Sequence, residues 1–585
     1  MKFNKELNHT TSHLLAAAVI KLYPNVKLGF GPATQEGFYY DFKFENPLSD
    51  EELSKIEKEM QRIASGGYKM VQTDGKNYDF SNKPYKKELY DEIIKRGEKA
   101  TFFSLVSPSN GQILFEDLCS GGHEGSTSKI KNFKLLSIAG AYWRGNSDNE
   151  QLTRIYGTSW ETKEELNEFL ELLKERKERD HRKIGKELNI FTFSHLSGQG
   201  LPIWLEDGMK IRNAIRDKVL YFDKKYGFRE VLTPHFGAEE LYKISGHLAH
   251  YKDDMFKPIE VENERLIARP MTCPHHIILF DKEKRSYKEL PLRYSEQSRL
   301  YRYEKSGALT GLERVRGMDL TEGHIFARKS QIISEFKHLY TMITEVLSQF
   351  DIKLDYVSFS KRDPENKEKF FQDDKMWDQA EKDLETVLKE LGIEYEEKIG
   401  EAAFYGPKID FQVKTVLNHE ITMSTLQLDF LLPQKFDISF INEHNEKEVP
   451  VLIHRGLIGT YERFISILLE QTKGNLPFWA SPKQFAIIPI ENAKHLEYAQ
   501  EIKDRLDFHN FNVEIDDRDE RMNKKVREAQ MQKTKYLIIL GDEEVKNNSV
   551  SLREYGKQET ETLPFDEFLI KMMHKLHYKK HAKKH

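Results

Sequence analysis

The chain has 585 residues, too many for one hydrophobic core, and ordinary domain sizes divide it into about three to five domains. Hydrophobic residues make up 38% and charged residues 32%, a globular balance, and no apolar run approaches the roughly 20 residues that span a bilayer. The net charge of −5 excludes blanket electrostatic binding to nucleic acid while leaving room for local basic patches, and two cysteines, Cys119 and Cys273, exclude a disulfide framework. The N-terminus has no signal-peptide pattern, so the expected location is cytoplasmic, with no membrane partner.

Residues 1–160 open on His9-Thr10-Thr11-Ser12-His13 running into LLAAAVIKL, which is helix-forming sequence. The i,i+4 spacing puts both imidazoles on one helix face. A turn-rich segment, Asp117-Leu118-Cys119-Ser120-Gly121-Gly122-His123, supplies a Cys-x3-His pair. His9, His13, Cys119 and His123 are metal ligands or acid–base groups by type. The zinc-protease pattern is excluded, because Thr10 stands where that motif needs Glu.

Residues 161–189 read as one highly charged connecting helix, with Leu166, Phe169, Leu170 and Leu173 at helical spacing. Residues 190–479 alternate strands and helices. They contain no Walker-type loop and no G-x-G-x-x-G in a strand–turn–helix setting, so an antiparallel sheet is expected. Within them lies a predicted hairpin, Leu292–Tyr303 and Arg314–Leu320, around a Gly-containing loop, with His324 just past the second strand. Arg293, Arg299, Arg302, Arg314 and Arg316 are interleaved with Glu296, Glu304 and Glu313. Such density fits a salt-bridged surface, or a nucleotide site in which guanidinium forks hold phosphate oxygens. Gly474–Pro482 is a Pro/Gly-bearing break. Residues 483–585 alternate short apolar strands, Phe485–Ile490 and Tyr536–Leu540, with amphipathic helices, Leu496–Phe508 and Lys524–Lys533. That pattern predicts a small α/β domain with a mainly parallel sheet, and the Lys/His-rich tail from His574 reads as a frayed, solvated end.

These stretches resemble the threonyl-tRNA synthetase family of class II aminoacyl-tRNA synthetases. Motif 1 resembles the segment closing on Pro234, motif 2 the Arg302/Glu304 hairpin, and motif 3 Gly459 to Arg463. The resemblance covers essentially the whole chain. It implies a multidomain α+β and α/β protein: an N-terminal α+β editing domain at 1–160, a linker helix at 161–189, a class II antiparallel-sheet catalytic domain at 190–479 and an α/β anticodon-binding domain at 483–585. The family's small ubiquitin-like N-terminal domain is expected to be absent, since His9 arrives almost at once.

The resemblance also implies roles. Cys273, His324 and His454 would ligate one Zn2+ per subunit, three protein ligands leaving a position open for substrate. Arg302 would hold the α-phosphate of ATP, which carries Mg2+, and Glu304 the adenine amino group. Arg314 would sit toward the β- and γ-phosphates, and Arg463 would stack on adenine or hold the γ-phosphate. Glu322, Tyr405, Lys408, Gln427 and Thr460 would line the L-threonine and adenylate pocket. His9, His13, Tyr40, Asp117, Cys119 and His123 would hydrolyse seryl-tRNA. Arg518, Arg527, Glu544 and Arg553 would read the anticodon of threonine tRNA. A homodimer through the motif 1 region is expected. The sequence departs from the family at His275 (usually Gly), Leu320 and Glu322 (Gln and Asp), Thr460 (Ser) and Asp519 (Asn), which touches pocket geometry more than the reaction. A scaffold that binds tRNA without catalysis, and a synthetase for proline or serine, are the competing readings.

Overall fold

The computed structural model describes residues 3–146, 148–415 and 419–576; the end of the Lys/His-rich tail, residues 577–585, lies outside them. The chain divides into two compact units, one up to Glu175 and one from Arg176 onward.

The first unit begins with helix α1 (Lys5–Leu22), capped by Asn4, whose side chain accepts from the Leu7 amide at 3.0 Å. Then follow β1 (Lys27–Leu28), β2 (Phe38–Lys43), α2 (Glu51–Ser65), β3 (Lys69–Thr73), α3 (Pro84–Lys95), β4 (Phe102–Val106), β5 (Ile113–Leu118), β6 (Asn132–Tyr142) and β7 (Gln151–Trp160). β1, β2, β7 and β6 make one antiparallel sheet, and β3, β4 and β5 another. α1 and α2 supply Leu14, Leu15, Val19, Ile56 and Met60 to a core completed by Tyr40, Phe42 and Ile155 of the sheet.

The predicted single connecting helix is two helices, α4 (Lys163–Arg179) and α5 (His181–Glu187). Asp180 stands between them, and its carboxylate accepts from the Arg182 amide at 2.8 Å, starting a new helix. A side chain that can cap competes with helix continuation, which explains the break.

In the second unit α6 (Glu206–Lys225) leads to β8 (Arg229–Glu230), α7 (Cys273–Asp281), β9 (Leu292–Tyr301), β10 (Gly317–Ala327), α8 (Ile332–Gln349), β11 (Tyr356–Lys361), β12 (Tyr395–Ile399), β13 (Lys408–Lys414), β14 (Glu420–Asp429), β15 (Val451–Thr460) and α9 (Tyr461–Thr472). The strands form an eight-stranded sheet in the order β8-β9-β10-β15-β14-β13-β11-β12, antiparallel except at its two ends. Period-2 alternation divides its faces. Leu426, Leu428 and Ile453 face a core with Phe336, Leu339 and Ile343 of α8 and Phe464, Ile465 and Leu468 of α9, while Gln427 and His454 face the opposite side. The central hairpin is present, but its second strand is Gly317–Ala327, so His324 lies on it rather than past it.

Beyond α9 come β16 (Phe485–Pro489), α10 (Asn492–Phe508), β17 (Val513–Ile515), α11 (Met522–Met531), β18 (Tyr536–Leu540), β19 (Ser549–Glu554), β20 (Thr560–Pro564) and α12 (Phe565–Leu576). Their five-stranded sheet has the order β17-β16-β18-β19-β20. It is mixed rather than mainly parallel: β17, β16 and β18, joined by the long helices α10 and α11, pair in parallel, and β18-β19-β20 is antiparallel. The links after β18 (541–548, with a short helix, Asp542–Asn547) and after β19 (555–559) are shorter than the dozen or so residues that a parallel crossover needs.

Candidate functional site

Register explains the centre of the second unit. His324 of β10 pairs with Tyr294 of β9 on one side and His454 of β15 on the other, and His454 pairs in turn with Gln427 of β14. Cys273 is the first residue of α7. Residues far apart in sequence therefore meet: the sulfur and one nitrogen of each imidazole lie within 4.8 Å of one another, all three side chains buried. His454 Nε2 stands 2.8 Å from Asp429 Oδ2, and Asp429 Oδ1 accepts the Leu431 and Leu432 amides at 2.9 and 3.0 Å, which fixes that carboxylate. On the other side His324 Nδ1 is 2.9 Å from His276 Nδ1, and His276 Nε2 is 3.1 Å from Glu296 Oε2. Burial holds His324 far below the usual imidazole range, hence neutral, the form that donates a lone pair to a metal. Burial also pushes the Cys273 thiol up, so its thiolate needs a cation beside it. Glu322 Oε1 is 3.5 Å from His324 Nε2, and its buried Oε2 has no hydrogen-bond partner. One thiol, two imidazoles and an unpartnered carboxylate oxygen suit a divalent cation with an open position.

Cys273, His454 and Glu322 of this cluster line a cavity of about 850 Å³, with Arg302, Tyr405, Lys408, Gln427, Thr460 and Arg463 also in its lining, while His324 lies buried behind them. The Tyr405 hydroxyl donates to Gln427 Oε1 at 3.0 Å, and its ring stacks on His454 at 5.1 Å. Lys408 Nζ is 2.5 Å from Asp410, which lines the same cavity and which the sequence analysis missed. A β-bulge interrupts the β10–β15 register between Leu320 and Glu322, and Thr321 bridges it with bonds to Gly459 O and Ile458 N at 2.9 and 3.1 Å. At the end of β15, Gly459 takes φ +64°, a conformation open to glycine, and Thr460 caps α9 by accepting the Arg463 amide at 3.2 Å. That turn delivers Arg463 to the cavity, where its Nε donates to Glu313 O at 3.2 Å.

The hairpin arginines have separate fates. Arg293 makes a bidentate pair with Glu335 at 2.6 and 2.8 Å, Arg299 bonds Asp319 at 3.0 Å, and Arg316 donates to Glu304 O at 2.8 Å, so these three serve structure. Arg302 faces the large cavity, its Nε 3.4 Å from Pro270 O. Arg314 lines a second cavity of about 410 Å³ that also includes Arg463, with Glu304 Oε2 3.8 Å from its Nε.

In the first unit, His9 and His13 project from α1, Tyr40 from β2, and Asp117 from β5, with Cys119 and His123 in the loop after it. Gly121 and Gly122 at φ +97° and +81° turn that loop back. Cys119 Sγ is 3.4 Å from His9 Nε2 and 3.3 Å from His123 Nε2, and the four His/Cys donor atoms lie within 4.8 Å of one another. The Tyr40 hydroxyl donates to Asp117 Oδ2 at 2.6 Å, and His13 Nδ1 is 3.9 Å from the same oxygen. Lys86 of α3, absent from the sequence reading, is paired with Asp117 Oδ1 at 2.6 Å, both side chains 2% exposed. The contact is ionic, without an aligned hydrogen bond. Burial lowers His123 to about 3 and pushes Cys119 up to about 11, so the cluster is a set of neutral imidazoles and a thiol, unsuited to a thiolate nucleophile.

In the last domain, Arg518 is held by Asp516 at 2.8 and 2.7 Å and by Glu528 at 2.7 Å, beside a cavity of about 390 Å³. Arg527 is exposed, and Arg553 Nε donates to Lys557 O at 2.9 Å. Both Glu544 oxygens are occupied, by the Gly541 amide at 2.8 Å and the Ser551 hydroxyl at 2.6 Å.

Three family descriptions match the chain: "tRNA synthetase class II core domain (G, H, P, S and T)" over residues 256–472, "Anticodon binding domain" over 484–574, and "Threonyl and Alanyl tRNA synthetase second additional domain" over 104–156. The chain is 64% identical over 571 residues to the threonine–tRNA ligase of Mycoplasmopsis pulmonis (strain UAB CTIP), covering 98% of this chain and 96% of that one. The chain belongs to the threonine–tRNA ligase family. A Staphylococcus aureus threonine–tRNA ligase (strain bovine RF122 / ET3-1) is 49% identical over 580 residues, covering 98% of this chain and 89% of the relative. Among solved structures, the RNA binding domain of threonyl-tRNA synthetase from Cryptosporidium parvum Iowa II is similar at 32% identity and TM-score 0.65, over 68% of this chain and 98% of that one. Prolyl-tRNA synthetase of Giardia lamblia, at 20% identity and TM-score 0.52 over 66% and 74%, shares the fold. Cys273, His324 and His454 fall within the stretch that matches the class II core, and the His9/His13/Cys119/His123 cluster lies in the unit that carries the second additional domain. No helix among the described residues is long and apolar enough to cross a membrane.

Proposed function

We propose that the chain is an ATP-dependent threonine–tRNA ligase: it activates L-threonine to the adenylate with release of pyrophosphate, transfers it to the 3′ end of threonine tRNA with release of AMP, and hydrolyses mischarged seryl-tRNA in its N-terminal unit. The observation that carries this reading is the meeting of Cys273, His324 and His454 beside a cavity that Arg302 and Arg463 also line. The division into 1–160 for editing, 161–189 as connector, 190–479 for catalysis and 483–585 for anticodon binding belongs to the same reading.

Zn2+ is the metal we assign to the Cys/His/His set, where it would supply a Lewis acid for the amino and β-hydroxyl groups of threonine. Valine, of the same shape, offers no hydroxyl to that position. Serine lacks only a methyl, worth about 1–3 kcal/mol, too little for accurate charging, so a second hydrolytic site is needed. Activation is an in-line attack of the threonine carboxylate on the α-phosphate of Mg2+-bound ATP, in which positioning and charge stabilisation dominate. Arg302 holds the α-phosphate, Glu304 the adenine amino group, Arg314 the outer phosphates, and Arg463 either stacks on adenine or holds the γ-phosphate. Tyr405, Gln427 and Glu322 bound the threonine pocket, with Lys408 and Thr460 beside the adenylate. In the N-terminal unit His9, His13, His123 and Asp117 position the hydrolytic water, while Cys119 and Tyr40 wall the pocket. Arg518, Arg527, Glu544 and Arg553 face the anticodon.

A cytoplasmic homodimer completes the reading. Leu232 and Phe236, 80% and 43% exposed beside Pro234, give motif 1 an apolar surface that a second subunit would cover. ATP–pyrophosphate exchange with a panel of amino acids tests the function: threonine should support the strongest exchange, serine a weaker one, and valine and proline next to none. Exchange with serine or proline but not threonine would reject the specificity, and no exchange would favour a tRNA-binding protein without catalysis.

A further inference from the structure

We infer that His276 and Glu296 are positioning residues for the metal: they form a proton relay, His324–His276–Glu296, that holds the Nε2 lone pair of His324 toward the ligand position. This rests on the reading of Cys273, His324 and His454 as a metal site.

Glu296 is fully buried, with Oε1 accepting from Arg269 Nη2 and Oε2 from the Thr233 hydroxyl, both at 2.8 Å. A carboxylate so paired can only accept, so His276 Nε2, 3.1 Å from Oε2, carries that ring's proton. His276 Nδ1 is then a bare lone pair, and the nitrogen facing it at 2.9 Å, His324 Nδ1, donates. His324 is left with a bare Nε2. Asp429 acts on the other ring independently: its Oδ2 accepts the hydrogen bond from His454 Nε2–H at 2.8 Å, which leaves Nδ1 bare. The two bare nitrogens, His324 Nε2 and His454 Nδ1, face each other at 3.1 Å. Lone pairs at that distance repel unless a cation or a proton lies between them, and the Cys273 sulfur completes a three-donor cation site. Ordinary core histidines would instead pair as donor and acceptor. Here both outer ends are tied to carboxylates, which prevents it. The two ligands are thus supported differently, His454 by one carboxylate and His324 through a second imidazole.

The relay makes a one-atom prediction. In Glu296→Gln, Arg269 Nη2 keeps the amide oxygen on its side, so the amide NH2 takes the place of Oε2 and points at His276 Nε2. That nitrogen must now accept, His276 carries its proton on Nδ1, and His324 is forced to carry its own on Nε2, toward the ligand position. Zinc affinity should fall about 10–100-fold. His276→Asn keeps an amide oxygen for His324 while cutting the link to Glu296, so it should leave zinc affinity near wild type and abolish the effect of Glu296→Gln in the double variant. His276→Leu removes the acceptor yet leaves Glu296 paired with Arg269 and Thr233, and should weaken zinc by a similar factor even if the Gln variant does not fold.

The experiment measures zinc per chain in the purified full-length protein, zinc affinity by chelator competition, and the visible spectrum of the cobalt-substituted form, for wild type, Glu296→Gln, His276→Asn, His276→Leu and the Gln/Asn double variant. A wild type that takes up no zinc overturns the metal-site reading itself. A wild type with one zinc per chain, but unchanged affinity in Glu296→Gln or His276→Leu, overturns the relay alone. An equal loss for Glu296→Gln in both backgrounds also overturns it, because that is what a purely structural role gives. Loss in Glu296→Gln, with an altered cobalt spectrum, and recovery in the double variant is the expected result.

Discussion

Substituting Lys86 by Met tests the electrostatic construction of the N-terminal cluster. Lys86 and Asp117 are both about as buried as side chains become, 2% exposed, and their charged atoms are 2.6 Å apart. Methionine matches the length and packing of lysine and removes the charge alone, leaving the Asp117 carboxylate with the Tyr40 hydroxyl as its remaining close partner. Breaking a buried pair from one side costs about 3–5 kcal/mol, because the surviving charge stays desolvated. A factor of ten accompanies each 1.4 kcal/mol, so exchange of the most protected amides of α1, β2 and β5 should speed up by about 10²- to 10⁴-fold. Hydrogen exchange on the full-length chain, read by mass spectrometry, resolves that change while the second unit serves as internal control. Adding Asp117→Asn to the Met variant removes the orphaned charge and should restore most of the protection, the non-additivity expected of a contacting pair. An increase below about fivefold in Lys86→Met, the size of an exposed pair, would show that the Lys86–Asp117 contact carries no buried-charge penalty.

Removing the Arg302 or Arg463 guanidinium by substitution with Ala should lower threonine-dependent ATP–pyrophosphate exchange by about 10²–10³, the effect of one preorganised charge donor, whereas Arg293→Ala should act on stability and leave pyrophosphate-exchange turnover nearly intact. His13→Ala or Cys119→Ala should slow deacylation of seryl-tRNA while leaving threonine activation unchanged; unaltered deacylation would remove those residues from the site. His9, His13 and His123 are all pushed below the unfolded imidazole value of about 6.5, His123 to about 3. The unfolded chain therefore binds more protons between these values, and the stability of the N-terminal unit should decline as pH falls from about 6.5 toward 3. His123→Gln should flatten that decline in a pH series of hydrogen exchange, and an unchanged slope would contradict the assignment.

The sequence carried the local patterns and missed what depends on register. His9 and His13 on one face of α1 follow from helical spacing, as does the alternation that splits β14 into core-facing leucines and cavity-facing Gln427. Nothing in the spacing of Cys273, His324 and His454 says that they meet; cross-strand pairing of β10 with β15 brings the two imidazoles together. The sequence pattern places His324 just past the hairpin, yet the strand continues to Ala327, held by partners on both sides. Arginine density overstated the number of phosphate ligands: Arg293 is taken by Glu335, outside the hairpin, and Arg299 by Asp319, its cross-strand neighbour, a pairing set by register. Lys86 sits in KPYKKELYDEIIK, where nothing separates it from solvated neighbours until α3 packs against the rest of the unit. His276 had a signal: it follows Cys273 by one helical turn, which puts it on the same face of α7.

The most direct measurement is a zinc titration of chelator-stripped full-length protein, with threonine-dependent ATP–pyrophosphate exchange followed at each addition. Exchange should be lost on stripping and return in proportion to zinc, reaching its plateau at one equivalent per chain. Undiminished exchange in metal-free protein, or a plateau indifferent to zinc, would contradict that zinc dependence.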